Sequence, residues 1–125
     1  MIFGIALGGA IGTVARYYLG GVAQRYSAFF PYGTLTINVT GALALGFLMR
    51  YLLATPAGPE LRAALTIGFC GGFTTFSTFS YEAAALIESG STGRALLYMA
   101  ASVALSLAAT FVGFALARAV LAPPR

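Results

Sequence analysis

The sequence contains no His, no Asp, no Lys and no Trp, and its one cysteine is Cys70. A lone thiol cannot close an intrachain disulfide, and no His/Cys cluster exists to hold zinc. With only three acids, Glu60, Glu82 and Glu88, there is no support for a catalytic carboxylate pair, a Ser-His-Asp triad or a Walker-type loop. An enzyme is not expected. Charge of either sign is scarce: 8% of residues are charged, against about 25% in ordinary soluble domains. So few charges cannot cover a water-facing surface.

What the chain does have is apolar. Hydrophobic residues make up 59% of its 125 positions, and the mean hydropathy is +0.88. The length allows one domain, residues 1–125. The seven basic residues, all arginine, are scattered singly. They read as charges flanking membrane spans, not as a nucleic-acid patch.

A helix needs about 20 apolar residues to cross the hydrocarbon core. Charges and Pro/Gly clusters mark off four such stretches, predicting an all-α membrane protein with four transmembrane helices. The first runs from about Ile2 to Val22 and the second from about Pro31 to Leu53. The third lies between Arg62 and about Glu88, and the fourth between Arg94 and Arg118. Residues 24–30, 55–59 and 89–93 are punctuated as loops. The tail Ala122-Pro123-Pro124-Arg125 cannot continue a helix. The first stretch lacks a basic leading region, so it is read as a span and not as a cleaved leader. Its Gly4, Gly8 and Gly12 fall on one helix face and suit close approach by another helix.

An even number of spans puts both termini on one side of the bilayer. That side would carry Arg50, Arg62, Arg118 and Arg125; the other would carry Arg16, Arg25 and Arg94. Orientation follows an imbalance of such charges, and four against three hardly chooses. The expectation is insertion in both directions and pairing as an antiparallel, dual-topology homodimer.

Polar groups inside lipid are costly unless paired or facing a wet cavity. The second span places Thr34, Asn38 and Gly41 along one face. The third holds a run from Gly68 to Ser80 in which adjacent glycines and β-branched threonines make a poor helix core, so a mid-membrane break is expected at about Gly71 to Thr75. Such breaks free carbonyls for cations and N–H groups for anions. Phe76 and Phe79 follow on one face, and their ring edges carry partial positive charge. The fourth span carries Tyr98, Ser102, Ser106 and Thr110, each four residues apart, a hydroxyl stripe of the kind that can replace water around a moving ion. Glu82 and Glu88 mark the end of the third span.

Three blocks of sequence, residues 8–17, 33–41 and 68–79, together resemble the Fluc (CrcB) family of fluoride channels over essentially the whole chain. The resemblance implies a passive, electrogenic route by which fluoride leaves a microbial cell across its inner (plasma) membrane, conferring fluoride resistance. It also implies two antiparallel pores per homodimer. Asn38, Phe76, Phe79, Ser77, Thr78, Tyr98, Ser102, Ser106 and Thr110 would line the pore, and Arg16 would sit in its vestibule. Backbone carbonyls of Gly71 and Thr74 from both subunits would hold a structural Na+ at the dimer centre. Two rivals compete with this reading. A small four-span multidrug exporter needs a carboxylate in mid-span 1, and none is present. A non-transporting membrane scaffold leaves the span-3 break and the hydroxyl stripe without a reason.

Overall fold

The structure, a computed structural model, describes residues 1–123 and contains only helices and connecting turns among them. Pro124 and Arg125, the end of the expected tail, lie outside the described residues. Helix α1 covers Ile2–Gln24 and α2 covers Tyr32–Ala54. The third hydrophobic stretch forms two helices, α3 over residues 59–73 and α4 over Phe76–Glu88. The last helix, α5, covers Thr92–Leu121. Three of these, α1, α2 and α5, are long and apolar enough to cross a membrane by themselves. Pro59 opens α3 at the position where its missing N–H costs nothing. Gly90, at φ 77°, makes the left-handed turn between α4 and α5.

The elements pack as two pairs: α2 lies along α5, and α1 lies along α3. Small residues permit both contacts. A Cβ at Gly8 would strike the Ala64 carbonyl oxygen, and one at Gly12 would strike that of Phe69. Gly4 sits against the Ala64 methyl. The glycine face expected of the first span is therefore a packing face. Gly46 and Gly113 do the same for the α2–α5 pair, where a Cβ at Gly46 would lie 2.6 Å from the Thr110 carbonyl oxygen.

The core is small, and the apolar side chains face outward. Ile37, Tyr98, Ala95 and Ala117 are buried, while Leu7, Ile11, Val14, Leu97, Val103 and Phe111 are exposed. In water this surface would aggregate; against lipid it is the ordinary outer surface of a bundle.

The break in the third stretch is narrower than the sequence suggests. Gly71–Phe73 are helical, and Thr74 N–H still donates to the Cys70 carbonyl at 3.0 Å. Only Thr74 and Thr75 are extended, with φ/ψ of −84°/159° and −152°/114°. Gly72 is there for close approach, since a Cβ on it would lie 2.5 Å from the Gly9 carbonyl oxygen, whereas a Cβ on Gly71 would meet nothing within 4 Å. Upstream, Ala64–Cys70 takes a wider π-helical path, a feature of the kind often found near functional sites.

Candidate functional site

The break is held by side chains from two other helices. Asn38 of α2 pairs with the Thr75 backbone in both directions. Thr75 N–H donates to Asn38 Oδ1 at 2.8 Å, and Asn38 Nδ2 donates to the Thr75 carbonyl at 3.0 Å. From α1, Arg16 Nη1 donates to the Thr74 carbonyl at 3.1 Å. Thr13 Oγ1 reaches the Gly72 carbonyl at 3.4 Å. These bonds satisfy backbone groups that the lost helical turn would otherwise leave unpaired in lipid.

Beyond the break, Thr75 caps α4. Its Oγ1 accepts from the Thr78 N–H at 3.3 Å and donates to Thr78 Oγ1 at 3.0 Å, with Ser77 Oγ 3.4 Å away. Ser77 and Thr78 are thereby gathered at the start of the helix, where unpaired N–H groups favour negative charge. Phe76 and Phe79 follow, with ring centroids 5.4 Å apart. Their surroundings differ. Phe76 is 78% exposed on the single chain, whereas Phe79 rests on the Tyr98 ring at 5.2 Å.

The hydroxyl stripe of α5 is uneven. Thr110 turns its hydrogen back onto the Ser106 carbonyl at 2.9 Å, as isolated threonines do. Tyr98 is fully buried and gives its single hydrogen to Glu82 Oε2 at 2.7 Å. Ser102 Oγ is buried with no hydrogen-bond partner. An orphaned hydroxyl in such a place is costly, and it is the one buried hydroxyl of the stripe left without a partner.

Glu82 is the residue the sequence reading undervalued. Its second oxygen, Oε1, accepts from Thr34 Oγ1 at 2.9 Å. A carboxylate on α4, a hydroxyl on α2 and a phenol on α5 thus form one polar junction. The signal was present in the spacing: Thr75, Phe79 and Glu82 recur at i, i+4 and i+7 and share a helix face. Substituting Tyr98→Phe should remove one charge-assisted bond and lower stability by about 1–2 kcal/mol. Chemical denaturation in detergent would measure it, and an unchanged unfolding midpoint would remove Glu82 from this structural role.

A hollow of about 310 Å³ lies where these groups meet, lined by Arg16, Gln24, Thr34, Thr75, Thr78 and Glu82 among others. A larger hollow, about 710 Å³, lies elsewhere, between α1 and α2, with walls such as Leu19, Val22, Ile37 and Phe73. It is almost wholly apolar and offers no chemistry.

A hard cation takes oxygen ligands, and the break supplies carbonyls. The Thr75 N–H that would have closed a helical turn onto Gly71 goes to Asn38 instead, so the Gly71 carbonyl lacks its helical partner. Gly71 is exposed, with open space around its Cα. The Thr74 carbonyl already accepts from Arg16, and a carbonyl oxygen has a second lone pair. These oxygens suit sodium in kind, but one chain brings too few to surround it.

The fold and this junction define a small multi-pass helical membrane protein that collects its polar groups around an interrupted helix. A profile described as "CrcB-like protein, Camphor Resistance (CrcB)" matches residues 3–114, and the chain belongs to that family. It is 52% identical over 119 residues to a protein of Geobacter sulfurreducens, covering 94% of this chain and 96% of that one. It is 47% identical over 119 residues to one of Rhizobium meliloti, covering 94% and 95%. It is 46% identical over 125 residues to one of Rhodospirillum centenum, covering 98% of both. All three are named "Fluoride-specific ion channel FluC".

Proposed function

We propose that this chain forms a fluoride-selective channel that lets fluoride leave the cell down its electrochemical gradient. The observation that carries the reading is the near-full-length similarity to proteins bearing that name. The geometry supplies a physical rationale. Fluoride is small and strongly hydrated, so losing water is costly unless close donors replace it. Arg16 in the polar hollow would draw the anion in. The capped start of α4, the edges of Phe76 and Phe79, and the free hydroxyl of Ser102 would then meet it in turn. No basic group lies deeper, so each step would hold the ion weakly enough to release it.

In this reading the working unit is an antiparallel homodimer, with four crossings per chain, in the cell's inner membrane. The exposed Phe76 and the apolar hollow between α1 and α2 are faces that a second copy would cover. The Gly71 and Thr74 carbonyls of both copies would together hold a structural sodium, which would contribute positive potential at the centre.

Fluoride efflux from liposomes, followed with a fluoride electrode under a potassium–valinomycin shunt, tests the function. Fast fluoride release with little chloride release is expected; no release from folded protein would end the channel reading. Replacing sodium with N-methylglucamine should reduce flux or stability, and indifference in both would remove the ion. Gly93→Cys in a Cys70→Ala background should label from both sides of intact membranes. Labelling from one side alone would remove dual topology.

A further inference from the structure

We infer that the end of the bundle opposite the Glu82 junction carries a binding site for a phosphate ester, supplied by the headgroup of an anionic phospholipid. Arg50 of α2 and Arg118 of α5 are 68 positions apart in sequence (118 − 50) but line one hollow of about 420 Å³ with Leu53, Ala54 and Leu121. The close α2–α5 contact at Gly46 and Gly113 brings the two arginines together. Arg50 is further fixed by the Phe114 ring, whose centroid lies 4.8 Å from its guanidinium carbon.

Among the described residues, neither charge is paired with a carboxylate. The one acidic side chain at this end, Glu60, is taken by the Met1 amino group at 3.0 Å, the single ion pair among the described residues. Arg62, the third arginine among the described residues here, donates to the Thr55 carbonyl at 3.2 Å. Arg50 and Arg118 are exposed and present planar forks suited to phosphate oxygens. Both stand within the last turns of membrane-crossing helices, at the depth where lipid headgroups lie. Leu53 and Leu121 supply apolar walls beside them, which suit an acyl chain and offer nothing to a free anion.

The opposite end does not repeat the arrangement. There Arg94 lies over the ring of Phe29 in the α1–α2 connection, 5.7 Å from its centroid. The two ends of one chain therefore provide an internal comparison.

The full chain, reconstituted in nanodiscs of phosphatidylcholine with a minor fraction of phosphatidylglycerol, would be released into a native mass spectrometer and its retained lipids identified. Phosphatidylglycerol should be retained preferentially. Retention should fall about 5-fold for R50Q or R118Q and about 25-fold for R50Q/R118Q. The control R25Q/R94Q removes equal charge from the other end and should leave retention unchanged. Equal loss in both double variants, or no loss in R50Q/R118Q, overturns the site. Millimolar inorganic phosphate distinguishes the source. Failure to displace the lipid supports a headgroup site, whereas displacement, with a thermal shift by phosphate alone that R50Q/R118Q abolishes, assigns the hollow to free phosphate and overturns the lipid.

Discussion

Asn38→Asp is expected to abolish fluoride flux and, at the same time, to lower stability by about 2–4 kcal/mol. The reason lies in the two bonds that Asn38 makes to Thr75. Aspartate keeps the acceptor for the Thr75 N–H but loses the amide donor. It then sets a carboxylate against the Thr75 carbonyl in a low-dielectric place. The break loses its brace, and the capped start of α4 loses its position. Asn38→Ala should lose both bonds without adding charge and should destabilise by about 2–3 kcal/mol. Flux in liposomes and thermal unfolding in detergent read the two effects separately. If Asn38→Ala impairs flux while the melting curve stays unmoved, Asn38 only lines a pore and does not hold the break.

The second large effect is expected at Gly12. Any Cβ there meets the Phe69 carbonyl oxygen and crowds the Phe73 backbone nitrogen. Backbone atoms cannot swing aside as a side chain could, so Gly12→Leu must push α1 off α3. The cost should exceed about 3 kcal/mol, enough to remove most of the folded population of a marginally stable protein. Arg16 and Thr13 would leave the break with it, since both ride on α1. Size-exclusion profiles of the purified variant give the readout. Gly93→Ala is the contrast: nothing lies within 4 Å of its added Cβ, and helix propensity predicts a gain of about 0.5–1 kcal/mol. A well-folded Gly12→Leu would show that the α1–α3 contact is slack.

The helical stretches were legible because lipid imposes a simple demand on composition. The first helix was expected from Ile2 to about Val22 and covers Ile2–Gln24; the second was expected from about Pro31 to Leu53 and covers Tyr32–Ala54. The break was legible from its residue types but was placed too broadly. Glycine signals both a weak helix and a close helix contact, and Gly71 and Gly72 could not be sorted between these by sequence alone. The actual interruption belongs to Thr74 and Thr75, where a side-chain cap replaces the helical bond. The π-helical stretch Ala64–Cys70 left no mark in the pattern of apolar residues.

Asn38 and Arg16 were both singled out, yet their work at the break was hidden, because a hydrogen bond to a backbone carbonyl 37 or 58 positions away leaves no trace in spacing. Glu82 was hidden for another reason. An acid near the end of an apolar stretch looks like a boundary charge until Thr34 and Tyr98 are seen to converge on it. The stripe on α5 was visible in full, but only the structure distinguishes Thr110, turned back on its own helix, from the unpartnered Ser102.

The pairing of α1 with α3 has a consequence for biosynthesis. The Thr13–Gly72 and Arg16–Thr74 bonds span 59 and 58 residues, so the partner of the first helix does not yet exist when that helix leaves the ribosome. At ordinary rates of synthesis the wait is about 3–12 s. For that interval α1, carrying its glycine face and Arg16, enters the bilayer beside whatever the insertion machinery offers. Its orientation is therefore exposed to decision before the contacts with α3 can vote on it.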